Sequence, residues 1–433
     1  MTMKRITSFV LLVALVLSLG AAALAQDMVE LDFMCYQDGS ECAVLEDLLG
    51  RFSEANPGIS VAVNVVPYTT VRDQLRVQVE AGQAPDMARI TDFAGMAGFY
   101  LDVRPLMEDP SLFEDNFNPA IVGAFRTGPD DNGLYGFADQ LSVTGPYVNA
   151  TLFEQAGVDL PSDAMDEPTW DDWLAALDEV ASATGVQYSM AIDNKGHRFA
   201  GPAMSLGADF FDEDGNFDLE DDEGFRAFAM ILKDLIDAGK SPAETWLGTS
   251  QYTGAQDYFI NVETVMYFSG SWQIGRFAAD IGDAFDWVVA PNPYGPGGST
   301  GVAGGAAIVG YAQTEHPEAV GKVMEYLLQP EVYGEYVGRA LFIPAHQAVI
   351  EAGVDFQTDS PAVAAALTGF ANEVPKFHPQ AVALNPHPLA FAYYDSSNTR
   401  LAQYFAGELT LDEAMSRLQE QLDEAAANMA AGG

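Results

Sequence analysis

The chain has 433 residues, 48% of them hydrophobic and 11% aromatic. That is too apolar for a disordered chain, and long enough for more than one packed domain at roughly 100–200 residues each. Its 63 Asp and Glu against 19 Lys and Arg leave a net charge of −44; a field of that sign repels phosphate backbones and anionic headgroups, argues against nucleic acid and lipid surfaces as partners, and suits high ionic strength.

In chain order, Lys4 and Arg5 precede the apolar run Phe9–Leu17, and Ala23-Leu24-Ala25 stands before Gln26. This pattern predicts a secretory signal peptide over 1–25, cleaved after Ala25, because the run falls short of the ~20 residues a membrane span needs. The mature chain is therefore expected in the periplasm or at the cell surface. A strand is expected at Leu31–Met34, followed by the chain's two cysteines, Cys35 and Cys42. One pair in an oxidising compartment reads as a disulfide closing a small loop; two separate buried thiols are the alternative.

Ala43–Asn56 sets Val44, Leu45, Leu48, Leu49 and Phe52 on one helical face, and Pro57-Gly58 ends it. Ile59–Val66 alternates as a half-buried strand. Thr70 opens a helix carrying Val71, Leu75 and Val79, and a short strand follows at Met87–Ile90. This βαβα opening predicts an α/β fold. Further on, Thr169 with Asp172 makes a helix cap that leaves Trp170 as a packing residue. Phe225, Phe228, Leu232 and Leu235 line another helix, Pro317–Gln329 reads as one more, and Thr410 with Glu413 opens the last. Asp86 reads as the end of a strand and Tyr147 as a core residue.

Enzyme motifs are sparse. The five histidines, at 197, 316, 346, 378 and 387, show no metal-ligand spacing, and no Gly-rich phosphate cradle is present, so no metal or cofactor is implied. Gly297-Gly298-Ser299-Thr300-Gly301 matches a nucleophile elbow in letters only. An elbow needs a strand before the serine and a helix after it, and here the serine follows Pro293-Tyr294-Gly295-Pro296, so a turn is expected. Asp212-Glu213-Asp214-Gly215-Asn216 begins like a calcium loop, but Phe217 stands where that loop needs glycine, which favours a hairpin turn. Tyr393-Tyr394 reads as packing or stacking rather than as iron ligands. No pair of carboxylates stands out for glycoside hydrolysis.

Several segments carry a resemblance. Asn56-Pro57-Gly58-Ile59 between helix and strand, then Ala81-Gly82-Gln83-Ala84-Pro85-Asp86, resembles the opening of the extracellular solute-binding proteins of ABC importers. The match is nearest to the sugar-binding group that includes maltose-binding protein. It continues through Gly133-Leu134-Tyr135-Gly136-Phe137, Tyr147-Val148-Asn149, Leu152-Phe153-Glu154-Gln155-Ala156-Gly157 and Pro168-Thr169-Trp170. Met266-Tyr267-Phe268-Ser269-Gly270-Ser271-Trp272, Phe285-Asp286-Trp287 and Gly304-Gly305 follow in the family's order, so the likeness covers nearly the whole mature chain. The Cys35–Cys42 loop is not a general family feature, and no lipid-attachment cysteine follows the signal.

The resemblance implies a two-lobed periplasmic-binding-protein fold of the type II kind, with discontinuous lobes joined by hinge strands. Lobe 1 is expected over 26–139 and 271–328, and lobe 2 over 140–270 and 329–433. The crossings fall near Phe137–Leu141, Phe268–Ser271 and Leu328–Gln329. It implies a monomer that closes on a carbohydrate and hands it to a transmembrane permease, without bond-making chemistry. A non-sugar solute (a polyol, a glycerol-phosphate diester or a polyamine) and a secreted carboxylate-dependent glycoside hydrolase remain alternatives. A phosphorylated solute would need local positive charge, which this sequence supplies sparsely.

Sugar sites present planar polar groups to hydroxyls and aromatic rings to C–H faces, from loops at the C-terminal ends of strands. Tyr36, Gln37 and Asp38 follow the first strand, Arg89 and Asp92 follow the Pro85-Asp86 strand, and Asp139 and Gln140 lie at the first crossing. Trp272 is the expected stacking platform, Gly304 lets backbone approach the ligand, and Tyr394 and Arg198 are candidate second-lobe contacts.

Overall fold

The computed structural model describes residues 28–128, 130–252 and 254–432. The expected signal peptide, 1–25, lies outside the described residues. Among the described residues no helix is long and apolar enough to cross a membrane.

Two mixed sheets organise the chain. The first runs β2-β1-β3-β10-β4, from β1 (Val29–Tyr36), β2 (Ile59–Val66), β3 (Met87–Ile90), β4 (Gly136–Ala138) and β10 (Ala307–Gly310). β1 pairs parallel with β2 and β3, whereas β10 runs antiparallel to β3 and β4. The second runs β6-β7-β5-β8, from β5 (Ser142–Asn149), β6 (Tyr188–Ile192), β7 (Thr264–Gly270) and β8 (Trp287–Val289). The short β9 (Ala303–Gly304) pairs with the start of β5, Ser142 opposite Gly304. Each sheet is sandwiched by helices over its own apolar cores, as its hydrophobic alternation requires.

Local sequence explains the helices that frame these sheets. Glu41–Ala55 buries Val44, Leu45, Leu48, Leu49 and Phe52 against β1. Trp170–Thr184 begins with a reciprocal cap between Thr169 and Asp172 and ends at Gly185 in the left-handed region. Trp170 packs in the second lobe, its indole N–H donating to Ser205 Oγ at 2.8 Å. The helix expected from Thr70 is two short ones, Tyr68–Asp73 and Leu75–Glu80, broken at Gln74. Ser299 sits in a buried turn donating to the Asn292 carbonyl at 2.7 Å, with the Gly295–Gly298 bridge before it. Asp212–Phe217 is a turn closed by the Phe211–Phe217 bridge.

The sheets correct the expected lobe boundaries. Residues 271–302 do not return to the first lobe at the crossing expected near Phe268–Ser271. β8 pairs antiparallel with β5, and Ile274, Phe277 and Trp287 pack in the same core as Tyr147 and Tyr267. The chain returns instead at 303–306, between β9 and β10. The crossing expected at Leu328–Gln329 is a turn between helices Pro317–Leu327 and Pro330–Ala340, both packed in the first lobe's core. Val349 still belongs to that core and Val363 to the second lobe's, so the last crossing lies between them. The apolar faces of those helices fit either lobe on paper; only the partner sheet decides.

Tyr147 ties β5 to β7 in the second lobe. It is buried, ringed by Phe277 and Phe370 at centroid distances of 4.8 and 5.4 Å, and its hydroxyl donates to the Gly270 carbonyl at 2.8 Å. Tyr147→Phe is expected to lower stability to urea by about 1 kcal/mol, the usual contribution of one such bond, with the secondary structure unchanged by circular dichroism.

Candidate functional site

Where the two sheets face each other, the crossing strands form the floor of a cavity of about 190 Å³. Gln140, Ser142, Gly304 and Gly305 make this floor. The strands lie too close for side chains at the glycines. A Cβ on Gly305 would stand 2.5 Å from the Gln140 carbonyl, and one on Gly304 would stand 2.7 Å from Ser142 Oγ and 3.0 Å from His197 Nε2. The first lobe contributes Tyr36, Asp38, Tyr68, Arg72 and Thr91; the second contributes Lys195, His197, Arg198, Trp272, Asn385, Phe391, Tyr394 and Asn398. Arg72 pairs with Asp395 of the opposite lobe.

Aromatic rings stand on both sides. Tyr36 and Tyr68 lie 4.9 Å apart in the first lobe. In the second, Phe391 and Tyr394 meet edge to face at 5.5 Å, and His197 is 5.7 Å from Tyr394. Trp272 follows Gly270, where a Cβ would fall 2.1 Å from the indole ring, and the Arg198 guanidinium lies 4.3 Å over that ring. Between these faces stand buried polar atoms with no protein partner: Gln140 Oε1, His197 Nδ1, Arg198 Nε and the Tyr394 hydroxyl. Groups of this kind are costly unless hydrogen-bonded, so the wall is set up for a polar guest. Burial, reinforced by Arg198, holds the His197 ring down to a pKa of about 3, which keeps it neutral.

Beneath the first-lobe wall lies an ion cluster. Arg89, on β3, is wholly buried; its Nε donates to Asp139 Oδ2 at 2.7 Å, and its Nη1 to the Tyr36 carbonyl at 3.2 Å and Glu41 Oε1 at 3.3 Å. Tyr336 donates to the same Asp139 oxygen at 2.7 Å. Glu41 in turn accepts the backbone N–H groups of Asp38 at 2.5 Å and Gly39 at 2.8 Å. Cys35 and Cys42 are disulfide-bonded around this loop. The cluster thus shapes the turn that presents Tyr36 and Asp38. Asp38 is part-exposed, with a carboxylate oxygen 3.8 Å from Arg89. Burial pushes its pKa up to about 6 against the pull of Arg89, with Glu41 and Asp139 adding to the rise.

A second cavity, of about 520 Å³, lies across the crossing strands, where Leu141 and Ala303 line it in place of Ser142. Although larger, it is walled mostly by Phe, Pro, Val, Ile and Ala and has no Lys, Arg or His.

Residues 40–334 match the family model for bacterial extracellular solute-binding proteins. The chain belongs to that family. This solute-binding protein is 26% identical over 296 residues to an arabinooligosaccharide-binding protein of Halalkalibacterium halodurans, a match covering 66% of this chain and 65% of that one, a little under two thirds of the relative's length. Its fold is shared with the maltose-bound T. maritima protein at a TM-score of 0.74 and 18% identity, covering 92% of this chain and 100% of that one. The GacH receptor of Streptomyces glaucescens matches at a TM-score of 0.73 and 21% identity, covering 92% and 99%.

Of the residues picked from the sequence, Tyr36, Asp38, Gln140, Trp272, Gly304 and Tyr394 meet in the cavity, and Arg198 joins them. Four do not line it. Arg89 and Asp139 are spent on each other beneath the wall. Gln37 is exposed and does not line the cavity. Asp92 accepts the Gly95 N–H at 2.8 Å and shapes its own turn. Sequence reasoning missed Tyr68, Arg72, Lys195, His197, Asn385, Phe391 and Asn398, which reach the cleft from distant segments. The run Lys195-Gly196-His197-Arg198 was the available signal, a basic cluster in a chain with few bases.

Two outcomes follow from the ion cluster. Arg89→Met would leave Glu41 and Asp139 buried without their cation and is expected to cost about 3–5 kcal/mol in urea unfolding, as for other broken buried pairs. Asp38, with its pKa raised above the ordinary 3.8 to about 6, contributes stability that is present below pH ~4 and lost as pH rises through about 6. Asp38→Asn should therefore gain on the parent protein between pH 5 and pH 7.5, read as the difference in urea midpoints.

Proposed function

We propose that this protein is the exported receptor of an ABC importer, capturing a mono- or oligosaccharide in its cleft and delivering it to the transmembrane permease. One observation carries the reading. Aromatic faces from both lobes, and unpartnered buried polar atoms from the crossing and the second lobe, converge on one cavity at the hinge. A sugar offers the complementary pattern, with C–H faces for rings such as Trp272 and Tyr394 and hydroxyls for Asp38, Gln140 and the asparagines. A relative whose name records arabinooligosaccharide binding, and structural neighbours solved with maltose and acarbose, support the same class.

Because both lobes touch the guest, binding favours the closed arrangement over the open one, and the closed arrangement is what a permease would recognise. The reading includes export, removal of residues 1–25, and a monomeric receptor. It makes and breaks no bond. A carboxylate-dependent hydrolase needs two opposed carboxyl groups, and among the described residues lining the cavity Asp38 is the only one.

A thermal-shift screen of the mature protein against sugars tests this. A matching sugar, recovered intact after hours, is expected to stabilise the protein by about 2.7 kcal/mol at a hundredfold excess over Kd. Trp272→Ala should abolish that shift while leaving the ligand-free melting profile nearly unchanged. A large fall in ligand-free stability would assign Trp272 to packing, and turnover of the sugar would replace capture with catalysis.

A further inference from the structure

The charge of the cavity opposes that of the chain. Of its lining residues, Arg72, Lys195 and Arg198 are cations and Asp38 is the only carboxylate, in a protein where acids outnumber bases 63 to 19. Carboxylates outside the lining engage two of the three cations and leave the third without an ion pair. Asp395 and Asp73 pair with Arg72, and Asp193 stands 3.8 Å from Arg198 without reaching hydrogen-bond distance of its Nε. Among the described residues Lys195 has no ion-pair partner. The three cations line the same space; burial lowers the Lys195 pKa, Arg72 and Arg198 lower it further, and Asp193 and Asp395 pull the other way.

Local structure points the same way. Lys195, His197 and Arg198 sit at the start of helix Gly196–Ser205, whose first turn holds no acidic residue. The positive end of the helix dipole adds to their charge, an arrangement that opposes helix stability and favours an anion in front of it. Gln140 Oε1, an acceptor, and His197 Nδ1, both on residues more than nine-tenths buried, line the same cavity unpartnered and are open to the hydroxyls of the sugar body.

We propose that the solute is an acidic saccharide, a sugar unit bearing a carboxylate, with the carboxylate held by Lys195 and Arg198 of one lobe and by Arg72 of the other. This rests on the carbohydrate reading and narrows it to uronate-type sugars. The sugar body takes the aromatic faces and Gln140, while Asp38, on the opposite lobe from Lys195 and Arg198, accepts hydroxyls. One carboxylate suits the single cation without an ion pair, Lys195; a doubly charged phosphate ester would meet Asp38 with more repulsion.

Calorimetric titration of the mature protein decides it, using glucuronate, galacturonate and digalacturonate against glucose, galactose and maltose, with sn-glycerol 3-phosphate and inorganic phosphate alongside. At least one uronate is expected to bind about tenfold or more tighter than its neutral counterpart, as charge-assisted pairs allow, and to weaken as salt is added. Lys195→Gln should lower the uronate-over-neutral preference about tenfold, and Lys195→Arg should restore it. Neutral sugars binding as tightly as uronates, or Lys195→Gln weakening both alike, would overturn the acidic assignment and leave saccharide capture standing. Binding of glycerol 3-phosphate or phosphate alone, or of none of the probes, would overturn both.

Discussion

The cleft is built around one charge that has no access to water. Arg89 is fully buried, and a guanidinium in that position must be met by anions and carbonyls or the fold loses several kcal/mol. Its partners lie on three separate segments: the Tyr36 carbonyl ending β1, Glu41 at the start of the following helix, and Asp139 at the first crossing. Satisfying Arg89 therefore fixes the strand end, the disulfide loop and the hinge relative to one another. Glu41 passes the constraint outward by holding the Asp38 and Gly39 N–H groups. The groups offered to a solute are a second layer resting on this one.

The hinge adds a constraint of shape. β5 and β9 pair where the chain passes between sheets, and the contacts there admit no side chain at Gly304 or Gly305. Close backbone approach lets Gln140 and Ser142 stand beside His197 without a gap. A hinge built from paired extended strands is stiff along its length, and the two sheets keep separate cores on either side.

Much of this fold is legible in the sequence because it is written locally. The strand Ile59–Val66, the reciprocal cap of Thr169 with Asp172 and the cysteine pair each depend on neighbours a few residues away, and each forms as read, although Val65, expected on the buried face of the strand, is exposed. The lobe boundaries are not legible in this way. Whether 271–302 pairs with β5 or returns to β3 depends on strand registers, and the deciding strand, β9, is two residues long. The site shows the same division. Tyr36, Asp38 and Gln140 follow strand ends, so position in the fold finds them. Lys195, Asn385 and Asn398 meet only after remote helices have packed, and nothing local marks them. Arg89, expected in a loop after Pro85-Asp86, lies within β3 and turns away from the cleft. β3 is buried along its whole length, so its pattern does not say which face looks into the cleft.

Overall composition misleads about the cleft for a physical reason. At about 0.1 M salt, charges further apart than ~10 Å scarcely feel one another, so the −44 of the whole chain acts mainly at the outer surface. Inside the cavity the groups in contact govern, and low-dielectric walls strengthen them. Lys195 and Arg198 also occupy the end of a helix where cations destabilise it, by about 0.3–1 kcal/mol each. A chain that uses Lys and Arg so seldom, yet sets two of them against a helix dipole and leaves one without an ion-pair partner among the described residues, is giving up local stability at that point. An anion seated before the helix would repay it, which makes the conflict between local rule and local sequence the strongest physical indication of what the cleft receives.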